Sequence, residues 1–145
     1  MTAAWTRPPR ERRRLTDHER ELRAVSERDF QRQVCDLAEL LGWTWCHWRP
    51  LRNGRGIWQV PVEGPLGKGW PDLTLVRVRD RRLVFAELKR ETEDPKPEQL
   101  AVLETLRDLA GESSDTLTTC IEVHVFRPSD LADPVEQSRI YRVLR

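Results

Sequence analysis

The sequence predicts one small α/β domain in which a mixed β-sheet is flanked by helices. Three observations lead there. Phe30, Val34, Leu37 and Leu41 recur at helical spacing behind Ser26, and Gly42 stops the run. Two short apolar stretches, 73–76 and 83–88, flank the polar turn Asp80-Arg81-Arg82. A second helix opens at Pro97 and closes at Gly111, and beyond it Ile121, Val123 and Val125 alternate with Cys120, Glu122 and His124. At 145 residues the chain supports one such core and not two.

Taken in order, residues 1–25 form an N-terminal basic arm, partly disordered or a short helix, and residues 26–145 form the main domain. The arm carries Arg12-Arg13-Arg14 and little periodic apolar content, so it reads either as a solvated tail or as a strap on a nucleic-acid backbone. Within it, Thr16 and Glu19 are spaced as a capping box for a short helix over 16–25, and Ser26 with Asp29 repeats that spacing for the next helix. The aromatic stretch 43–48 and the stretch 57–62 read as a pair of strands around Asn53-Gly54. A loop with Gly64, Gly67 and Gly69 leads to Trp70-Pro71-Asp72, and residues from Ser129 onward read as helical, covering one edge.

Composition narrows the function classes. A mean hydropathy of −0.67 and no apolar run of bilayer length exclude a spanning helix, and the polar start has no apolar signal segment, so a cytoplasmic protein is expected. Cys35, Cys46 and Cys120 lack paired spacing and read as reduced thiols. All but three of the 25 basic residues are arginines, the side chain that grips phosphate with two parallel bonds, although a GC-rich genome produces the same bias.

The chemistry concentrates in Asp72 and in Glu87-Leu88-Lys89. On a strand, residues two apart share a face, so Glu87 and Lys89 project together from an apolar strand. Burying either charge alone is costly. Asp72 opens the preceding strand, which brings its carboxylate toward that of Glu87. Two such carboxylates repel unless a cation lies between them, and hard oxygen donors suit Mg²⁺ or Mn²⁺. Lys89 is then placed to orient or deprotonate an attacking water and to neutralise developing charge, as phosphodiester hydrolysis requires. The plainer reading is a β-hairpin with a Glu–Lys surface pair, in which Asp72 and the inward-facing Gln99 are coincidental neighbours. Glu27, at the first turn of its helix, points with the apolar stripe or simply favours the helix dipole.

The stretches Ser26-Glu27-Arg28-Asp29-Phe30, Gly69-Trp70-Pro71-Asp72, Phe85-Ala86-Glu87-Leu88-Lys89, Pro97-Glu98-Gln99 and Arg127-Pro128-Ser129-Asp130 together resemble the PD-(D/E)xK nuclease superfamily, within it the virus-type replication-repair (VRR-NUC) branch found in phages and bacteria. The resemblance implies a restriction-endonuclease-like αβββαβ core. It implies Asp72 and Glu87 as metal ligands assisted by the Leu88 carbonyl, Lys89 as the catalytic lysine, Gln99 as a supporting polar group and Glu27 as an outer acidic member. A Mg²⁺- or Mn²⁺-dependent DNA endonuclease acting on branched, flapped or junction DNA in repair or recombination is the activity so implied. A homodimer would suit a symmetric junction. A nuclease acting on RNA, or a non-catalytic DNA-binding or assembly module on the same fold, are the other readings.

Candidate DNA contacts are His47, Arg49, Arg52 and Lys68. Arg49, Arg52 and Arg55 surround Asn53-Gly54 as a basic hairpin, which a solvated turn explains as well. His47 next to Trp48 is a phosphate contact or the polar edge of an aromatic strand. Cys35, Cys46 and His47 lack the spacing of a zinc site. The tryptophans read mainly as core and edge packing, with Trp70 a candidate for the substrate cleft.

Overall fold

Leu73, Leu75, Val84 and Ala86 are fully buried in the computed structural model, which describes residues 13–111 and 119–145. They lie on neighbouring strands at the centre of a four-stranded sheet. The elements run α1 (Asp17–Ala24), α2 (Glu27–Leu40), β1 (Thr44–His47), β2 (Leu51–Arg52), β3 (Trp58–Gln59), β4 (Leu73–Arg77), β5 (Arg82–Leu88), α3 (Pro97–Ala110), β6 (Cys120–Phe126) and α4 (Arg139–Leu144). The sheet order is β1-β4-β5-β6, with β1, β4 and β5 antiparallel and β6 parallel to β5. The parallel step requires a crossover, and α3 supplies it. No helix among the described residues is long and apolar enough to cross a membrane.

Alternation along the strands builds two apolar layers. Leu73, Leu75, Val84, Ala86 and Leu88 face Phe30, Val34 and Ala38 of α2 and Ile140 and Leu144 of α4. On the opposite face Phe85 packs against Val102 and Leu106 of α3. Glu87, one residue from Ala86 and Leu88, therefore falls on the α3 side.

Helix caps follow the sequence. Thr16 and Glu19 form a reciprocal box, with Thr16 N–H donating to Glu19 at 2.7 Å and Glu19 N–H to Thr16 Oγ1 at 3.1 Å. At Ser26 the box is incomplete. The hydroxyl accepts from Asp29 N–H at 3.1 Å but itself donates to the Asp29 carboxylate at 2.7 Å, because aspartate is a methylene shorter than glutamate. Gly42 ends α2 at φ +81°, a conformation that favours glycine.

Two expectations are corrected. Stretches 43–48 and 57–62 do not pair with each other: β1 joins β4, while Trp58–Gln59 pairs only with Leu51–Arg52 in a separate two-stranded ribbon. Pro50 and Pro61 lack the N–H that longer strands would need there. After Ser129 the chain makes two 3-10 turns, Pro128–Asp130 and Val135–Gln137, before α4 begins under the Ser138 cap. Pro134, inside the stretch expected to be helical, interrupts the longer helix. Residues 1–12 of the expected basic arm lie outside the described residues, and its remainder carries α1.

Candidate active site

The register of β4 and β5 determines the site. Leu73 pairs with Ala86, and one step further along this antiparallel ladder Asp72 stands opposite Glu87. Opposed residues have Cβ atoms roughly 4.5–5.5 Å apart, where like charges destabilise the pair. The Leu88 N–H donates to Asp72 Oδ2 at 2.8 Å. In an antiparallel ladder a residue's N–H and C=O leave the same edge, so the Leu88 carbonyl is directed to the Asp72 side as well. Lys89 N–H instead donates to Phe126 O at 3.0 Å, tying the next residue to β6.

Glu87 is fully buried. Its Oε1 lies 2.7 Å from Lys89 Nζ and accepts from Gln99 Nε2, whose own Oε1 accepts the Lys96 N–H at 2.9 Å. Gln99 thus spans the first turn of α3 and the carboxylate. The other oxygen, Glu87 Oε2, is buried with no donor among the described residues, and the carboxylate it belongs to is in contact with that of Asp72. Desolvation first, and then the Asp72 charge, push the Glu87 carboxyl up to about 7 against the opposing Lys89. Asp72 is also raised by desolvation, opposed by the Leu88 N–H, Lys89 and His47. The two acids are held with too little compensating positive charge for both to ionise freely.

Close backbone approach sets this geometry. The turn Gly67–Gly69 packs on the start of α3, and a Cβ on Gly69 would lie 2.1 Å from Glu98 O. Glycine there lets the segment before Asp72 reach the helix that carries Gln99.

His47 Nδ1 lies 3.0 Å from the Asp72 carbonyl. A carbonyl only accepts, so Nδ1 carries the hydrogen and Nε2 is the remaining nitrogen. Glu27, exposed at the start of α2, has its carboxyl raised by partial desolvation and then by Asp72. Both residues line, with Asp72, a cleft of about 640 Å³ that also includes Arg28, Arg49 and Trp48. Glu87 does not line it. Of the two carboxylates, Asp72 lines the cleft and Glu87 is fully buried.

The remaining candidates divide. Arg49 lines the cleft, and Arg52 stacks on the Trp58 ring at 5.1 Å. Lys68 lies in a second cleft of about 660 Å³ with Glu63 and Glu98, apart from the carboxylates. Trp70 does not line the cleft beside Asp72; it meets Phe85 edge-on at 5.4 Å in the apolar layer with Val102 and Leu106 of α3. Trp43 alone of the described tryptophans is fully in the core, while Trp45, Trp48 and Trp58 are exposed. That exposure was the feature sequence reading missed, because neither the edge strand with Trp45 nor the short ribbon with Trp58 has apolar alternation to announce its faces.

Among the described residues no group of three His, Cys, Asp or Glu side chains is arranged to hold a metal. Cys35, buried, has its thiol pushed up to about 12 by desolvation and by Asp36 and Glu39, which disfavours the thiolate a zinc site needs. The donors that fit a hard cation are Asp72, Glu87 Oε2 and the Leu88 carbonyl, a set that leaves the remaining positions to water and substrate oxygens, as Mg²⁺ prefers. No protein-family model, curated protein or solved structure matches the chain.

Proposed function

We propose that the chain is a Mg²⁺- or Mn²⁺-dependent DNA endonuclease on a restriction-endonuclease-like core. The observation that carries this reading is the pair of opposed carboxylates, Asp72 and the buried Glu87, with no donor on Glu87 Oε2 among the described residues and Lys89 on the other oxygen. Two carboxylates in contact cost free energy unless a shared proton or a cation lies between them, and a cation serves at the pH where both ionise. The succession of α2, three antiparallel strands, α3 and a parallel strand agrees with the αβββαβ arrangement of that nuclease superfamily.

A divalent cation held by Asp72, Glu87 and the Leu88 carbonyl would supply positive charge to the scissile phosphate and acidify water. Lys89 would donate to the attacking water or to a phosphate oxygen, keeping its charge against Glu87 until the pentavalent state develops. Gln99 positions Glu87 by holding Oε1 to the α3 backbone, and thereby leaves Oε2 as the donor. With the hydrogen on Nδ1, His47 Nε2 would accept from a water at the cleft side of Asp72, or donate to a phosphate oxygen when the ring is an imidazolium. Glu27 adds an outer acid that would order solvent on the same side.

The test is incubation of purified protein with linear, nicked, flapped and four-way DNA in Mg²⁺, Mn²⁺ or EDTA. Cleavage with metal and none in EDTA is the expected result. No cleavage of any substrate at high enzyme, or binding indifferent to metal and to Asp72→Ala, would leave a non-catalytic DNA-binding module. Faster cutting of matched RNA would reassign the substrate.

A further inference from the structure

The cleft beside Asp72 has one wall that the hydrolytic chemistry does not use. Trp45, Trp48 and Trp58 line it with relative exposures of 38%, 43% and 63%. Trp45 and Trp48 come from β1 and the residue directly after it, and Trp58 from the two-stranded ribbon, so two backbone stretches line one cleft with indoles. Exposed indoles gain nothing from the core, and their flat faces are the feature a ligand can use. The Trp45 N–H is held by Glu39 at 3.0 Å, which limits its ring rotation. Arg52 lies over the Trp58 ring at 5.1 Å.

The charges around this wall indicate what it receives. Arg28 and Arg49 line the cleft and make no salt bridge to another described residue; Arg32 is paired with Asp29 at 2.8 Å. Of the acids in the lining, Asp72 and Glu27 belong to the cation end, leaving Asp36. Flat apolar faces interleaved with free guanidinium groups match a strand whose bases are unstacked and whose backbone is anionic. A duplex hides its base faces, so an indole wall adds nothing to its binding.

We propose that Trp45, Trp48 and Trp58 form a stacking platform for the unpaired bases of single-stranded DNA, with Arg28 and Arg49 on the backbone, delivering the strand to Asp72. The delivery role rests on the nuclease reading above; the binding role does not.

The experiment measures binding of labelled oligo-dT and of a duplex of equal length in EDTA, by fluorescence anisotropy and by quenching of the protein's tryptophan emission. Wild type binds the single strand more tightly, with quenching. Trp48→Leu and Trp58→Leu each weaken it by roughly 5- to 100-fold, as expected for loss of one stacked base, and leave duplex binding unchanged. Trp58→Phe restores most of the affinity, which separates stacking from damage to the ribbon. Equal affinity of wild type and the double Leu variant for oligo-dT overturns the platform, as does an equal loss on duplex. Tighter binding of oligo-rU than oligo-dT overturns the assignment to DNA. A wild-type dimer that becomes monomeric in the Leu variants shows the wall to be covered by a second copy instead. Flapped DNA with Mn²⁺ then separates the two proposals. Stacking with no cleavage of this or any other DNA refutes the nuclease and leaves the platform, while cleavage unaffected by the Trp variants refutes delivery of the strand to Asp72 and leaves the nuclease.

Discussion

Lys89 Nζ lies 2.7 Å from Glu87 Oε1, while the other oxygen of that carboxylate is buried with no donor among the described residues. Burial and Asp72 raise its carboxyl to about 7, so protonation and stability are linked at one residue, and cation binding joins them on the proposed reading.

The linkage has a definite sign. The folded Glu87 carboxyl titrates near 7, above its ordinary value of 4.5, and Asp72 is raised too. A group held protonated in the folded state lends its stability at low pH and withdraws it as pH rises through the folded value. Glu19, Asp80 and Glu122 are lowered, so they act at more acid pH, whereas Glu27, raised by partial desolvation and by Asp72, adds a loss of the same sign as pH rises. In EDTA the protein is expected to lose about 1–3 kcal/mol between pH 5 and pH 8, read by urea unfolding. Glu87→Gln flattens that slope, and Mg²⁺ or Mn²⁺ restores stability at pH 8 in wild type only.

Gln99 acts through Glu87. Gln99→Leu removes the bridge from the Lys96 N–H to Oε1, and divalent-cation affinity is expected to fall about 10- to 100-fold. Calorimetric titration with Mn²⁺ measures it. A purely structural role would lower the melting temperature without changing cation affinity.

Gly69→Ala tests how the site is assembled. The added Cβ meets Glu98 O at 2.1 Å, and both atoms belong to backbone that cannot easily yield. A loss of about 1–3 kcal/mol is expected, together with weaker Mn²⁺ binding because Asp72 follows the displaced segment.

Arg77 provides a control far from the carboxylates. Its buried guanidinium bonds Asp80, the Leu41 and Leu144 carbonyls and the Arg145 carbonyl, and lies 4.5 Å from the Trp43 ring centroid. Arg77→Leu strands those groups and is expected to cost about 3–5 kcal/mol in urea unfolding. Cleavage by the fraction still folded should be unchanged.

The helices and the central strands were legible because their signals are local. Thr16 with Glu19, the stripe from Phe30, and Pro97 with Gly111 each state a boundary in a few residues. Asp72, Glu87 and Lys89 were legible because charges on an apolar strand need a reason. The partner of β1 was not, since it depends on a non-local pairing across the whole 48–72 connection. Nor was the sealing of Glu87 behind Asp72, which arises only when α3 closes on the sheet. The exposed tryptophans were misread for a related reason: residue type predicts burial on average, and only the ribbon's position shows that nothing covers them.

Single-turnover cleavage of flapped DNA by wild type, Asp72→Asn, Glu87→Gln and Lys89→Met, with Mn²⁺ and with EDTA, tests the central claim most directly. Wild type should cut only with the cation, and each variant should be slower by at least about 100-fold while keeping its folded circular-dichroism spectrum. Lys89→Met cutting at the wild-type rate would contradict the role given to the lysine. Cutting by Asp72→Asn and Glu87→Gln at that rate, or undiminished cutting in EDTA, would contradict the metal-dependent site itself.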